Sequence, residues 1–302
     1  MSDKTGIEWT RSDDGTSGAT WNPVTGCTKV SAGCDHCYAE TFAERWRGVP
    51  GHHFENGFDL TLRPERLDQP LRWKRPRRVF VNSMSDLFHK DVPDGHIACV
   101  FTVMAKASRH TFQVLTKRHA RMRSLLSSDE FQVMCFAAAA SRGWDLEGTP
   151  WPLPNVWLGV SVEDPHWADI RIPALLDTPA EVRFVSAEPL LGPVTLFPGK
   201  WVPPLGGGPR VSLLRPWEDP GPVLDWVIVG GESGPGARRM AEGWARNLVG
   251  ECTESGTAVF VKQLGSVLGK QLGAGPKGGD WDAWPDDLKV REFPRAPEAV
   301  SA

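Results

Sequence analysis

Cys27-Thr28-Lys29-Val30-Ser31-Ala32-Gly33-Cys34-Asp35-His36-Cys37 carries three cysteines in a CX6CX2C spacing, the densest chemistry in the chain. The tight pair Cys34 and Cys37 reaches two corners of one metal centre, and Gly26 and Gly33 let the loop curl until Cys27 reaches a third. No fourth cysteine stands nearby: Cys99 lies in an apolar helical run, Cys135 precedes an alanine-rich stretch, and Cys252 falls late in the chain. Three thiolates suit a [4Fe–4S] cube that keeps one iron open for a further molecule. A structural zinc ion closes with four ligands and would need His36, His52 or His53. His36 stands between two cysteines, a poor position for another bond to the same ion, whereas His52 and His53 are within reach. The spacing leaves both readings open.

A second set of polar residues recurs at the ends of short apolar runs. The runs are 79–81, 112–115, 156–160, 182–185, 226–229 and 258–261, each the length of a strand buried on both faces. They end in Asn82-Ser83-Met84-Ser85-Asp86, Thr116-Lys117-Arg118, Ser161-Val162-Glu163-Asp164, Ser186-Ala187-Glu188, Gly230-Gly231-Glu232-Ser233 and Lys262-Gln263. Helical spacing fills the gaps between runs, so the chain is of the α/β class with a parallel sheet. In a parallel barrel those six clusters gather on one rim, the carboxyl end of the strands, where such folds carry their sites.

The elements that position them follow from local signals. A short strand over 19–22 precedes the cysteines and a helix over 38–46 follows them. Further helices are predicted over 95–108, 118–126 and 238–254, the last terminated by Gly256. Asp164-Pro165 is a helix start, a capping carboxylate before proline at the first helical position, and Pro173 limits that helix to about two turns. The expected organisation is an N-terminal tail over 1–18, a barrel over 19–265 with an inserted Pro- and Gly-rich loop over 197–224, and a loosely packed extension over 266–302.

Composition bounds the function classes. The chain has 302 residues, 40% of them apolar, enough for one large α/β domain, and a formal charge of −3 that gives no global field to draw in a polyanion. No apolar run reaches a membrane span and the start has no signal-peptide core, so a cytoplasmic protein with no membrane partner is expected. Six cysteines in that compartment read as ligands, catalysts or buried apolar groups. The fourteen tryptophans beside one tyrosine read mostly as packing under loops.

At the cysteines the sequence resembles the phage and bacterial three-cysteine-motif family of uncharacterised proteins, itself similar to divergent radical S-adenosylmethionine enzymes. The resemblance runs from about Thr5 to Gln263. It rests on Trp21-Asn22-Pro23-Val24-Thr25-Gly26-Cys27, Cys34-Asp35-His36-Cys37-Tyr38-Ala39-Glu40, Val81 to Phe88, Val185 to Leu190 and Val229 to Pro235. It implies a partial (β/α)6 TIM-like barrel whose first strand is followed by the cluster loop, with Cys27, Cys34 and Cys37 as ligands of a [4Fe–4S] cluster. The open iron would chelate S-adenosyl-L-methionine, and an electron from a donor such as flavodoxin or ferredoxin would release a 5′-deoxyadenosyl radical that abstracts hydrogen from substrate.

The same resemblance places His36 near the adenine, Ser83, Ser85 and Asp86 at the methionyl amino group, and Ser161 and Glu163 at the ribose hydroxyls. Glu188 and Gly230-Gly231-Glu232 fall near the adenine or substrate. Glu188, Glu232 and Lys117 are the candidate catalytic groups, with Gly230 and Gly231 among the cofactor contacts. The first cysteine gap is longer than the usual superfamily spacing, and Asn82-Ser83-Met84-Ser85-Asp86 replaces the expected glycine-rich motif, so the cluster assignment transfers more securely than the cofactor contacts. The substrate is a small molecule or nucleotide, with nucleic acid a further partner in a phage setting.

Three other features bear on function. The run 230–236 matches neither dinucleotide nor Walker phosphate motifs and reads as a strand-to-helix turn, a helix-start phosphate site being the alternative. Of two basic runs, 72–78 precedes its strand and reads as solvated charge, while Lys117 and Arg118 stand on the active rim, where they suit a carboxylate or phosphate. Glu163, Glu188 and Glu232 also suggest hydrolytic acid–base work with a metal. The competing class is a zinc- or cluster-stabilised nucleic-acid or protein binding module without catalysis.

Overall fold

Each apolar run becomes a strand. The computed structural model describes residues 4–12, 14–196 and 223–294. Its strands are β1 (Ala19–Trp21), β2 (Val24–Thr25), β3 (Thr61–Leu62), β4 (Arg78–Val81), β5 (Thr111–Thr116), β6 (Val156–Ser161), β7 (Val182–Ala187), β8 (Trp226–Gly230) and β9 (Ala258–Gln263). Seven of them form one sheet in the order β1-β4-β5-β6-β7-β8-β9, every pair parallel, while β2 and β3 make a separate antiparallel ribbon. Strands β4, β6 and β8 are buried along their whole length, which is why they read as unbroken apolar runs.

The sheet curls into a half-barrel, and one side chain shows it. Trp9, on a single 3-10 turn (Glu8–Thr10), touches Phe80 of β4 at 4.7 Å and Trp226 of β8 at 6.2 Å between ring centroids. Those strands stand four places apart and would be about 19 Å apart in a flat sheet. Trp9 therefore plugs the amino end of the lumen over a layer of Phe80, Trp157, Phe184, Trp226 and Phe260. Gln113 of β5 donates to the Trp9 carbonyl at 3.3 Å, fixing the plug from below. Gly159 in β6 makes room for this layer, since a Cβ there would lie 2.4 Å from the Phe184 ring.

The helices are α1 (Tyr38–Glu44), α2 (Asp94–Lys106), α3 (His119–Leu126), α4 (Asp129–Ala140), α5 (Pro165–Leu176), α6 (Glu242–Ser255) and α7 (Gly265–Leu272). The Asp164 carboxylate caps α5 by accepting from Trp167 N at 3.0 Å. Pro173 does not stop this helix: it runs a turn further, and the Pro173 carbonyl still accepts from Asp177 N. Proline removes its own donor and leaves its acceptor, so helix C-terminal to it continues when tertiary packing holds it. Leu175, fully buried, supplies that packing.

Two further differences concern the later chain. Helix α6 begins at Glu242, four residues after the expected start at Arg238, because the Arg238 backbone N–H and side chain both turn to Glu232. The segment after 265, expected to pack loosely, joins the main core through Leu268, Ala274, Trp284 and Leu288. The inserted loop expected over 197–224 falls mostly on 197–222, outside the described residues. Among the described residues no helix is long and apolar enough to cross a membrane.

Candidate functional site

The loop bearing Cys27, Cys34 and Cys37 leaves the carboxyl end of β1 and is tied to the ends of three other strands. Gly26, at φ 83°, lies so close to Asp59 that a Cβ would come within 2.2 Å of its carbonyl oxygen, a conformation and a space that only glycine satisfies. Its N–H donates to the Met84 carbonyl beyond β4 at 2.9 Å. Gly33 N–H donates to Glu163 Oε1 beyond β6 at 3.3 Å. His36 Nδ1 donates to Glu232 Oε2 beyond β8 at 3.0 Å.

Arg238 completes the third tie. It forks onto Glu232 with Nη2–Oε1 at 2.6 Å and Nε–Oε2 at 3.0 Å, and also donates to the Ala32 carbonyl at 2.8 Å and to Asp35 Oδ2 at 3.2 Å. Burial alone would raise the Glu232 pKa. The hydrogen bonds from Arg238 and His36 outweigh it and hold the carboxyl down at about 2.

The three thiols are unpaired and partly exposed. Burial pushes Cys27 up to about 11, with the Asp86 charge adding to it and Arg118 opposing both. Arg118 does not point out to the rim as an anion holder. Its Nη2 lies 3.9 Å from Cys27 Sγ and donates to Thr28 Oγ1 at 2.8 Å, fixing the loop. Arg171 lies close enough to Cys34 for the two charges to interact. Three free, soft thiols flanked by guanidinium groups on a glycine-curled loop are donors suited to an iron–sulfur cluster. Among the described residues no three His, Cys, Asp or Glu side chains stand together in an arrangement that holds a metal ion.

His52 is engaged elsewhere, whereas His53 keeps a buried Nε2 without a partner. The His52 ring stacks on Trp46 at 4.2 Å and its Nδ1 accepts from Phe54 N at 3.1 Å. His53 packs edge-on against Phe54, and burial lowers its pKa to about 4.

The rim carboxylates expected to face a ligand are each committed within the protein. Asp86 accepts from Thr116 Oγ1 at 2.7 Å, Phe88 N at 3.0 Å and Lys117 N at 3.0 Å, joining the end of β4 to that of β5. Glu163, fully buried, pairs with Arg171 Nη1 at 2.8 Å. Glu188 pairs with Lys262 Nζ of β9 at 2.6 Å. Ser83 exchanges hydrogen bonds with Asn22 at 3.2 Å, and Ser85 Oγ donates to the Val24 carbonyl at 2.8 Å. Ser161 is buried at the end of β6, its carbonyl taken by Arg171. Gly230 lets the Glu188 side chain pass, and Gly231 packs on the Leu264 carbonyl, where a Cβ would lie at 2.4 Å.

Three residues of this mouth have roles that the sequence does not single out, although Asn82 and Tyr38 lie within its motifs. Asn82 is the single non-glycine residue at positive φ among the described residues, and its buried side chain has no partner at either Oδ1 or Nδ2. Arg171 is completely buried, and its Nε and Nη2 likewise lack partners. Tyr38, on α1 just after Cys37, donates its hydroxyl to the Ser83 carbonyl while its ring stays exposed. Arg171, eight residues beyond Glu163 on a capped helix, was within reach of a charge-pairing argument; the backbone of Asn82 was not.

A parallel α/β half-barrel with a thiol-bearing loop on the carboxyl rim of its strands is the class these features define. A family model described as a protein of unknown function (DUF5131) matches residues 4–285, and the chain belongs to that family. Neither a curated protein nor a solved structure matches it.

Proposed function

We propose that this chain is a radical S-adenosylmethionine enzyme of the partial (β/α)6 barrel type, with Cys27, Cys34 and Cys37 holding a [4Fe–4S] cluster. One observation carries the reading: the three cysteines share a single loop at the carboxyl rim of a parallel half-barrel, and that loop is pinned to the ends of β4, β6 and β8. When bound, the cluster supplies the electron that cleaves S-adenosylmethionine for hydrogen abstraction.

The chain's own residues prepare the place. Arg118 beside Cys27 favours the thiolate that ligation requires. The Arg238–Glu232 fork fixes the stretch carrying Cys34. The aromatic layer under Trp9 seals the lumen from below, which keeps water from the reacting groups. Glu188, paired with Lys262, and Lys117, on the end of β5, are the groups left to meet the substrate. The zinc-stabilised binding module draws less support, because the His52 ring stacks on Trp46 with its Nδ1 taken by Phe54 N, and no three His, Cys, Asp or Glu side chains among the described residues stand together to hold an ion.

Anaerobic isolation tests the proposal. The expected product is a brown protein with about four irons and four sulfides per chain that converts S-adenosylmethionine to 5′-deoxyadenosine on reduction. Cys34→Ala removes the colour and Cys252→Ala, in the core away from the loop, leaves it. A colourless protein with one zinc per chain, or equal loss of iron from both variants, would refute it.

A further inference from the structure

We infer that the mouth of the half-barrel takes a nucleotide, with Asn82 reading the edge of the base and Lys117 holding the phosphate. Asn82 is 3% exposed, and neither the oxygen nor the nitrogen of its carboxamide has a partner. Buried polar groups are almost always satisfied, so an orphaned amide on a left-handed backbone (φ 60°) at a strand end marks a place where another molecule completes the bonding. A carboxamide presents one donor and one acceptor in a plane and does not titrate. Its complement is an edge with an acceptor beside a donor, as adenine offers at N7 and N6 and cytosine at N3 and N4.

The surroundings favour a nucleotide over other amide-like ligands. Tyr38 is pinned by its hydroxyl to the carbonyl of Ser83, the residue after Asn82, and the residue remains 61% exposed. Phe42 and Trp46 continue the exposed aromatic line at four-residue spacing. A pinned, exposed ring beside an amide reader lets a base stack by its face while it is read by its edge.

The charge left over is cationic. Asp86, Glu163, Glu188 and Glu232 are all engaged by protein donors. The Lys117 ammonium has no partner among the described residues and leaves the end of β5, the strand paired with β4. Neighbouring strands lie about 4.8 Å apart, so a lysine stem from one reaches a phosphate whose base lies at the end of the other.

The inference rests on the proposed function only in taking this mouth as the site, and the binding it predicts needs no cluster. Titration calorimetry on the full chain, before and after cluster reconstitution, would compare adenosine monophosphate, adenosine, ribose 5-phosphate and S-adenosylhomocysteine. Adenosine monophosphate is expected to bind roughly tenfold more tightly than ribose 5-phosphate. Asn82→Gly relieves the backbone while deleting the amide, so it folds and loses that preference without changing ribose 5-phosphate binding. Lys117→Ala weakens adenosine monophosphate and ribose 5-phosphate by roughly tenfold and leaves adenosine unchanged.

Equal affinity for adenosine monophosphate and ribose 5-phosphate in the parent, or an Asn82→Gly protein that keeps the preference, would overturn the assignment. So would an Asn82→Gly effect confined to S-adenosylhomocysteine, which would give the amide to the cofactor's adenine. A colourless protein that still shows the predicted titrations sinks the radical chemistry alone.

Discussion

Arg238→Ala removes the guanidinium that ties the cysteine loop to the end of β8, and its cost follows from the geometry. Two charge-assisted bonds to Glu232, at 2.6 and 3.0 Å, are lost, and Glu232 stays buried with only His36 and the residue-238 N–H as donors. Breaking a fully buried pair costs about 3–5 kcal/mol. The Arg238 side chain is one-third exposed, so water relaxes into the gap and the loss falls to about 2–3 kcal/mol. The Asp35 arm, more than half exposed, adds at most about 1 kcal/mol. Arg238→Lys keeps the charge without the fork and recovers part of the loss.

The assay is urea unfolding at pH 7.5 together with amide exchange across residues 32–36, where the strap holds the loop. Removing the strap raises local opening there by roughly 30- to 150-fold, the equilibrium equivalent of the same energy. The contribution depends on a charged Glu232, whose folded pKa of about 2 lies below its ordinary value. It is therefore complete above about pH 4.5 and lost as the pH falls towards 2, so parent and variant converge in acid. Unfolding midpoints within error of the parent at pH 7.5, with unchanged exchange at 32–36, would show that the loop is held by something else.

Other perturbations test the frame around the site. Arg171→Met strands the buried Glu163 carboxylate and costs about 3–5 kcal/mol, and the double change with Glu163→Gln recovers most of it; urea unfolding that shows no recovery would acquit the pair. Gly159→Ala drives a methyl into the Phe184 ring and costs about 1–3 kcal/mol, relieved when Phe184→Leu is added; an undamaged single variant would mean that the lumen layer yields. His53, His89, His96, His110 and His119 all have pKa values lowered chiefly by burial. The unfolded chain therefore binds more protons as pH drops below about 6.5, and the urea midpoint should fall between pH 7 and pH 5; a flat profile would contradict it.

The strands were legible because a parallel sheet buried on both faces writes itself as β-branched runs, and the polar rim was legible because strands end where water or a ligand begins. Helix α5 announced its start through Asp164-Pro165. Its end was misread, since Pro173 was weighed by local rules while Leu175 is held by the core. Helix α4 went unread although Ser128 caps it and Phe131, Cys135 and Ala139 line its buried face; Val133 and Phe136 on the opposite side are exposed and blur the period. The C-terminal extension reads as polar and glycine-rich, yet it places Trp284 and Leu288 in the main core. A few large side chains anchor a segment whose average composition looks loose.

What the sequence does not display is which rim charges are free. Glu163, Glu188 and Glu232 share one offset after their strands and look alike on paper. In space each has its own cation: Arg171 from the following helix, Lys262 from 74 residues on, and Arg238 from the next turn. That pairing decides between chemistries. Hydrolysis by carboxylates needs one group with an open lone pair and a pKa raised towards the working pH. Glu232 goes the other way, to about 2, and its oxygens are filled by Arg238 and His36. A carboxylate so placed acts as a bolt between loop and barrel. Among the described residues of the mouth, the groups left able to react or bind are the three thiols on the loop, the Lys117 ammonium, the second oxygen of Glu188 and the orphaned amide of Asn82, a set with soft donors for a metal and a cation for an anion.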